Sequence, residues 1–266
     1  MTRHDMTGPA LRLQGVSRAF GGVRAVSDVS FDVAPGTVCA LVGPNGAGKT
    51  TLFNLITNLL RPSAGTVALH GRALAGLSPT AIAGLGLIRT FQSARVFPGL
   101  TVLENVLVGR HRLLKQGLLS SMLALPGMRR EERDLQRRAE ALLDLVGLLP
   151  LRDAAATALP MGAQKLLEVI RALMAQPRVL LLDEPAAGLN DTETDELAAL
   201  LHAIRLGGTT LLLVEHSMAL VMSLADQVVV LEAGAVIADG PPAHIQADAR
   251  VIAAYLGAPV PAHPPC

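Results

Sequence analysis

Short runs of consecutive apolar residues recur along the chain: "GTVCALVG" (Gly36 to Gly43), "RVLLLDE" (Arg178 to Glu184), "TTLLLVEH" (Thr209 to His216) and "DQVVVLEAG" (Asp226 to Gly234). Segments of helical periodicity lie between them. A strand buried on both faces loses the usual alternation of apolar and polar positions, so this pattern predicts a parallel sheet covered by helices, an α/β core. Nearer the start, "LRLQGVSRAF" and "VSDVSFDVAPG" do alternate and are broken by glycine. They predict antiparallel strands flanking the parallel core.

From about Phe91 to Ala175 the strand signals vanish. Thr101 and Glu104, three apart at the head of "LTVLENVLVG", predict a capping box in which each side chain satisfies an otherwise unpaired amide of the other residue. In "RDLQRRAEALLDLVGL", Leu135, Ala139, Leu142 and Val146 fall on one helical stripe, and Asp134 stands four residues before Arg138, which predicts pairing on a solvated helix face. This block reads as an all-helical insertion in the α/β core. Beyond Gly240, "GPPAHIQADARVIAAYLG" predicts a turn and short helices, and "APVPAHPPC" is too rich in proline to pack much.

Composition narrows the function classes. The chain has 266 residues, enough for one large domain or two modest ones, and half of them are apolar. Its longest apolar runs still fall far short of the roughly 20 residues that span a bilayer. The N-terminus "MTRHDMTGPALRL" lacks the apolar stretch of about 7 to 15 residues that a secretory signal needs. The expectation is a soluble, cytoplasmic chain. Of two cysteines, Cys39 sits in an apolar run and Cys266 is the last residue, so no disulfide framework is expected. A net charge of +1 with scattered arginines gives no footprint for nucleic acid.

The strongest motif is "GPNGAGKT", Gly43 to Thr50, which fits G-x-x-x-x-G-K-[ST] between a predicted strand and the helical "TLFNLITNLL". Glycines at 43, 46 and 48 let the backbone curl so that its N–H groups point at a phosphate chain, and the next helix adds its positive end. Lys49 would reach the β- and γ-phosphates and Thr50 would ligate Mg²⁺. At the end of "VLLLDEP", Asp183 can hold the metal while Glu184 takes a proton from an attacking water.

Together with "TFQ" (Thr90 to Gln92), "LPMGAQ" (Leu159 to Gln164), "LLLDEPAAGLN" (Leu180 to Asn190) and "LLLVEHSM" (Leu211 to Met218), the order and spacing resemble the ATP-binding subunit of an ABC transporter. "FPGLTVLENVLVGRH", "GLLSSMLALPGMRREE", "EHSMALVMSLADQVVVLEAG" and the ending "VIAAYLG" resemble its branched-chain amino-acid importers, the LivG-type branch, over roughly Leu11 to Gly257. The resemblance implies a P-loop NTPase cassette with a RecA-like parallel core, an N-terminal antiparallel β subdomain and an inserted α-helical subdomain. In this chain the division would be 1–10 tail, 11–91 first part of the core with the β subdomain, 92–175 helical subdomain with Q-loop and signature, 176–240 second part of the core, and 241–266 C-terminal helices and tail.

It also implies roles for single residues. Gly43, Pro44, Asn45, Gly46, Ala47, Gly48, Lys49, Thr50 and Thr51 would form the phosphate cradle, and Phe20 would stack on adenine, although a phenylalanine at a strand end is as often core. Gln92 would sense Mg²⁺ and the attacking water, with Thr50 and Asp183 as further metal ligands. Glu184 would be the catalytic base and His216 the switch histidine at the γ-phosphate. Leu159, Met161, Gly162 and Asn190 would face the nucleotide of a second, homologous ATP-binding subunit, the pair being a homo- or heterodimer. Further partners would be two transmembrane permease subunits and, indirectly, an external substrate-binding protein, with no nucleic acid. The place would be the inner face of the cell membrane, peripherally.

Two positions depart from the family pattern. The signature usually reads LSGGQ, whereas this chain has Leu159, Pro160, Met161, Gly162 and Ala163, so up to two donors to the facing phosphate are missing, each worth about 1.5–3 kcal/mol. Pro160 suits a first helical turn, which would leave the amides of Met161 and Gly162 to meet an anion. Asn190 replaces a common aspartate. The same machinery would also suit a lipid or lipopolysaccharide exporter, a urea or amide importer, or, in another class, a soluble ABC-type ATPase without a membrane partner.

Overall fold

The computed structural model describes residues 8–90, 96–110 and 126–256. In chain order the elements are β1 (Leu11–Phe20), β2 (Val23–Val33), β3 (Val38–Val42), α1 (Lys49–Ile56), β4 (Ala64–Leu69), β5 (Arg72–Ala73), α2 (Pro79–Gly84), β6 (Leu87–Arg89), α3 (Val102–Val108), α4 (Pro126–Leu145), α5 (Met161–Leu173), β7 (Val179–Asp183), α6 (Asp191–Leu206), β8 (Thr210–Val214), α7 (Met218–Leu224), β9 (Gln227–Glu232), β10 (Ala235–Gly240), α8 (Pro242–Ala247) and α9 (Ala249–Leu256), with two 3-10 turns between α4 and α5.

The four apolar runs became β3, β7, β8 and β9, all buried on both faces. They lie in a six-stranded sheet of order β10-β9-β3-β8-β7-β6, parallel except for β10. Their side chains feed two cores by turns. Val38, Ala40 and Val42 of β3 face one side with Leu180 and Leu182 of β7 and Leu211 and Leu213 of β8. Cys39 and Leu41 face the other with Val179, Leu181, Leu212 and Val214. The first core is closed by α3 to α7, the second by α1 and by the four-stranded antiparallel sheet β2-β1-β4-β5. Burial drives the Cys39 thiol pKa up, in keeping with a small buried hydrophobe.

Between 96 and 175 the described residues form helices and turns, and the Thr101 capping box is present: Thr101 N–H donates to Glu104 at 2.7 Å and Glu104 N–H to the Thr101 hydroxyl at 3.2 Å. The stripe on α4 is also present, led by the fully buried Ala139, although Leu143 is buried more deeply than Leu142 and Val146 lies one residue past the helix end. One expected pair differs. Asp134 pairs with Arg137, while Arg138 turns inward and donates to the Leu173 carbonyl at 3.2 Å. The Leu173 carbonyl, which also accepts the N–H of Gln176 at 3.0 Å, keeps a second lone pair for Arg138 and is a better-desolvated acceptor than an exposed carboxylate.

Candidate functional site

The parallel strands β3, β7 and β8 end on the same edge of the sheet, and the residues that follow them form one crevice, the usual ligand position in an open parallel sheet. It holds a cavity of about 300 Å³ lined by Ala25, the loop from Asn45 to Thr51, Glu184 and His216. A wider cleft of about 590 Å³ along α4, lined by Arg130, Arg133, Gln136, Arg137 and Glu140, contains none of the sequence-predicted residues.

The loop after β3 needs two of its glycines for space as well as for conformation. A Cβ on Gly43, at φ +151°, would lie 2.1 Å from the Leu231 carbonyl oxygen, and one on Gly48, at φ +101°, 2.3 Å from that of Ala25. Gly48 caps α1 without a side chain, so the helix opens on bare amides. Lys49 is buried, and its ammonium donates to the carbonyls of Gly43 at 2.6 Å and Pro44 at 3.0 Å. Burial lowers its pKa, while Glu184 and Asp183 nearby work in the other direction.

The facing wall is built from two loops. Glu184 follows β7 with φ +50°, a left-handed conformation uncommon for a non-glycine residue; its N–H donates to Val214 at 2.9 Å and its carbonyl accepts from the buried Lys165 ammonium at 3.3 Å. Strain kept in place by such bonds is typical of a working site. His216 follows β8, and its Nε2 lies 3.2 Å from Glu184 Oε1. A residue not singled out from the sequence joins the two loops. The buried Glu215 carboxylate accepts the N–H of Ala186 at 2.7 Å with one oxygen and that of His216 at 3.0 Å with the other. In the sequence it is just one more polar residue at a strand end.

Asp183 has the chemistry a hard cation wants. Its carboxylate is fully buried; Oδ2 accepts from Arg89 at 2.7 Å, and Oδ1 is buried with no hydrogen-bond partner. Its charge acts on Lys49, the residue before Thr50, so the orphaned carboxylate oxygen and the Thr50 hydroxyl in the first turn of α1 give an all-oxygen donor set that fits Mg²⁺.

Other sequence-predicted residues lie elsewhere. Phe20 ends β1 at the hairpin tip, half-exposed, with the Arg18 guanidinium 4.8 Å over its ring; it is neither core nor part of the cavity lining. Gln92 lies outside the described residues. Leu159 is buried in the first core, and its carbonyl accepts from Gln164 at 2.8 Å. Pro160 is the cap of α5, not a member of its first turn: at ψ 158° its backbone is extended, and the helix starts at Met161. Met161 is exposed, whereas Gly162 is buried against Glu193, where an added Cβ would sit 2.5 Å from the carboxylate Oε1. The helix end expected to meet an anion therefore already has a carboxylate from α6 beside it. Asn190 caps α6, its Oδ1 accepting the N–H of Glu193 at 3.0 Å.

Residues 26–187 match the family described as ABC transporter, and residues 235–260 match one described as branched-chain amino acid ATP-binding cassette transporter. The chain is 44% identical over 253 residues to the high-affinity branched-chain amino acid transport ATP-binding proteins LivG of Escherichia coli K12 and BraF of Pseudomonas aeruginosa, covering 95% of this chain and 99% of each relative. Among solved structures it is similar to an ATP-binding cassette of an ABC transporter in its ADP conformation, with TM-score 0.82, 30% identity and coverage of 94% of this chain and 100% of that one. A nucleotide-free cassette from an ABC transporter matches with TM-score 0.80 at 30% identity, covering 92% and 98%.

Proposed function

Since this chain belongs to the ABC transporter ATP-binding family and, within it, to the branch of the branched-chain amino-acid transport proteins, we propose that it binds and hydrolyses ATP to drive import of branched-chain or closely related amino acids through two membrane permease subunits. The observation that carries this reading is the meeting of Glu184 and His216, 3.2 Å apart, on the cavity floored by Lys49 and the glycine loop. In this proposal the loop amides and Lys49 bind the β- and γ-phosphates, Phe20 stacks on adenine, and Thr50, Asp183 and Gln92 hold Mg²⁺, which supplies charge neutralisation on the phosphates. Glu184 accepts the proton of the attacking water, and Glu215 keeps the loops of Glu184 and His216 at a fixed spacing. Lys49 donates to the loop carbonyls and His216 Nε2 lies against Glu184, so both side chains stand at the cavity where they would exchange these partners for phosphate oxygens.

The working unit is a pair of homologous cassettes, identical or different, in which Met161, Gly162 and Asn190 of this chain complete the site on the partner's glycine loop and the partner's counterparts complete this chain's own. The division into core, β subdomain and helical subdomain at 11–91, 92–175 and 176–240 belongs to the same proposal. No helix among the described residues is long and apolar enough to cross a membrane. In this reading the chain works peripherally, at the inner face of the membrane, held there by the permeases and supplied with cargo by an external binding protein.

The test is ATP turnover by the chain with its partner subunits, compared with Glu184→Gln. The proposal expects turnover to fall by about 10²–10⁴-fold while ATP stays bound and the paired state accumulates. Turnover that survives the substitution overturns the reading.

A further inference from the structure

Arg89 takes no part in the proposed chemistry, yet it makes more polar contacts at the site than its position at a short edge strand requires. It ends β6, which runs beside β7 with Arg89 opposite Leu181, so its side chain lies within reach of Asp183 at the end of the neighbouring strand. One guanidinium nitrogen donates to Asp183 Oδ2 at 2.7 Å and another to Asn54 Oδ1 at 2.6 Å, while the guanidinium carbon lies 5.5 Å from the Phe53 ring centroid. The Arg89 side chain is 10% exposed and that of Asp183 fully buried.

These contacts have a direction. Asn54 stands four residues after Thr50 on α1, so the two are neighbours along one face of that helix. Arg89 thus ties the helix that carries the Thr50 hydroxyl to the strand that carries the Asp183 carboxylate, the two oxygen donors a nucleotide-bound cation would take from this chain. It uses only Oδ2 of the carboxylate, and Oδ1 stays buried without a partner. A planar, doubly anchored guanidinium fixes the plane of the carboxylate it holds, which the single point charge of a lysine does not.

We propose that Arg89 is a positioning residue for the metal: by gripping Asp183 Oδ2 and Asn54 together it fixes the distance and angle at which Asp183 Oδ1 and Thr50 meet Mg²⁺. This rests on the reading of Asp183 as a metal ligand. The alternative roles give different signs. A guanidinium that only competed with the metal for the carboxylate would, on removal, let Mg²⁺ bind more tightly. One that only braced β6 against α1 would change stability and leave metal dependence alone.

The experiment measures binding of a fluorescent ATP analogue to the full chain as Mg²⁺ is titrated, and again with the metal chelated. The variants are Arg89→Met, Arg89→Lys and Asn54→Ala. Loss of a group that orients a metal ligand weakens metal affinity by about 10- to 100-fold. In both Arg89 variants the Mg²⁺ concentration for half-maximal effect should therefore rise at least about tenfold, and in Asn54→Ala it should rise by a smaller factor in the same direction. Affinity for the metal-free analogue should stay within about twofold of the parent. Should Arg89→Met fail to fold, Arg89→Lys and Asn54→Ala carry the test. Unchanged or lowered Mg²⁺ requirement, or an equal loss with and without metal, overturns the proposal. Asp183→Asn separates the two readings: it should erase the Mg²⁺ dependence, and if it does not, the assignment of Asp183 as a ligand fails first.

Discussion

At the scale of single residues, the glycine loop tolerates little. Gly43 combines φ +151° with a carbonyl 2.1 Å from where a Cβ would go, and that carbonyl belongs to the backbone of β9, which cannot swing aside. Gly43→Ala should therefore destabilise the fold by about 3 kcal/mol and abolish nucleotide binding, to be checked by thermal unfolding and ATP titration; a variant of parental stability that binds ATP contradicts the packing argument. Lys49 is different because only the flexible end of the side chain works. Lys49→Ala should leave the fold intact and weaken ATP about ten- to a hundredfold, the loss of a charge-assisted contact of about 1.5–3 kcal/mol. Glu184 was legible in the sequence through the phosphate loop that accompanies it, and His216 through the resemblance to an ABC cassette. Arg89 and Glu215 did not, since their partners lie on other strands and loops: Asp183 is 94 residues from Arg89 and Ala186 is 29 from Glu215. No local pattern reports such contacts.

At the scale of elements, the legible parts were those whose burial is uniform. Strands β3, β7, β8 and β9 are buried at nearly every position, which is why runs of consecutive apolar residues gave them away. Strand β6 has three residues and β5 two, too few for any periodicity, and β10 pairs antiparallel at the sheet edge with only partial burial. In α5 the surroundings alter what the sequence suggested. Its bare N-terminus exists, but Pro160 stands before the helix and Glu193 lies against Gly162. Pro160→Ser restores a hydroxyl at the cap position, which should raise helix stability by about 0.5–2 kcal/mol and speed turnover at the site on the partner's glycine loop. Turnover measured after disabling each catalytic glutamate in turn checks this; a gain confined to the site of this chain's own Lys49 contradicts the pairing scheme. Just before α9, hydrogen bonds from Arg250 to Asp248 hold the carboxyl pKa down to about 2. A depressed pKa stabilises the fold above the ordinary carboxylate range, and this contribution is lost as pH falls through about 2. The Asp248 carboxyl resonance should therefore titrate near that value, and titration near 4 contradicts the clamp.

At the scale of the whole molecule, two cores meet on one sheet so that β3, β7 and β8 end side by side, and the charges of the site need no further element to be brought together. Met161 is exposed at the start of α5, where the proposed pairing would bring the second cassette. If hydrolysis at Glu184 drives import, uptake by the whole transporter reports it. The chain, its partner cassette, the permeases and the binding protein are reconstituted in vesicles with ATP supplied on the cassette side, and uptake of labelled leucine is followed in competition with isoleucine, valine and urea. Leucine uptake should depend on ATP, be suppressed by isoleucine and valine, be unchanged by urea, and be lost when Glu184→Gln is introduced. Uptake that continues with Glu184→Gln, or ATP turnover that moves no amino acid, would contradict import driven by hydrolysis at Glu184.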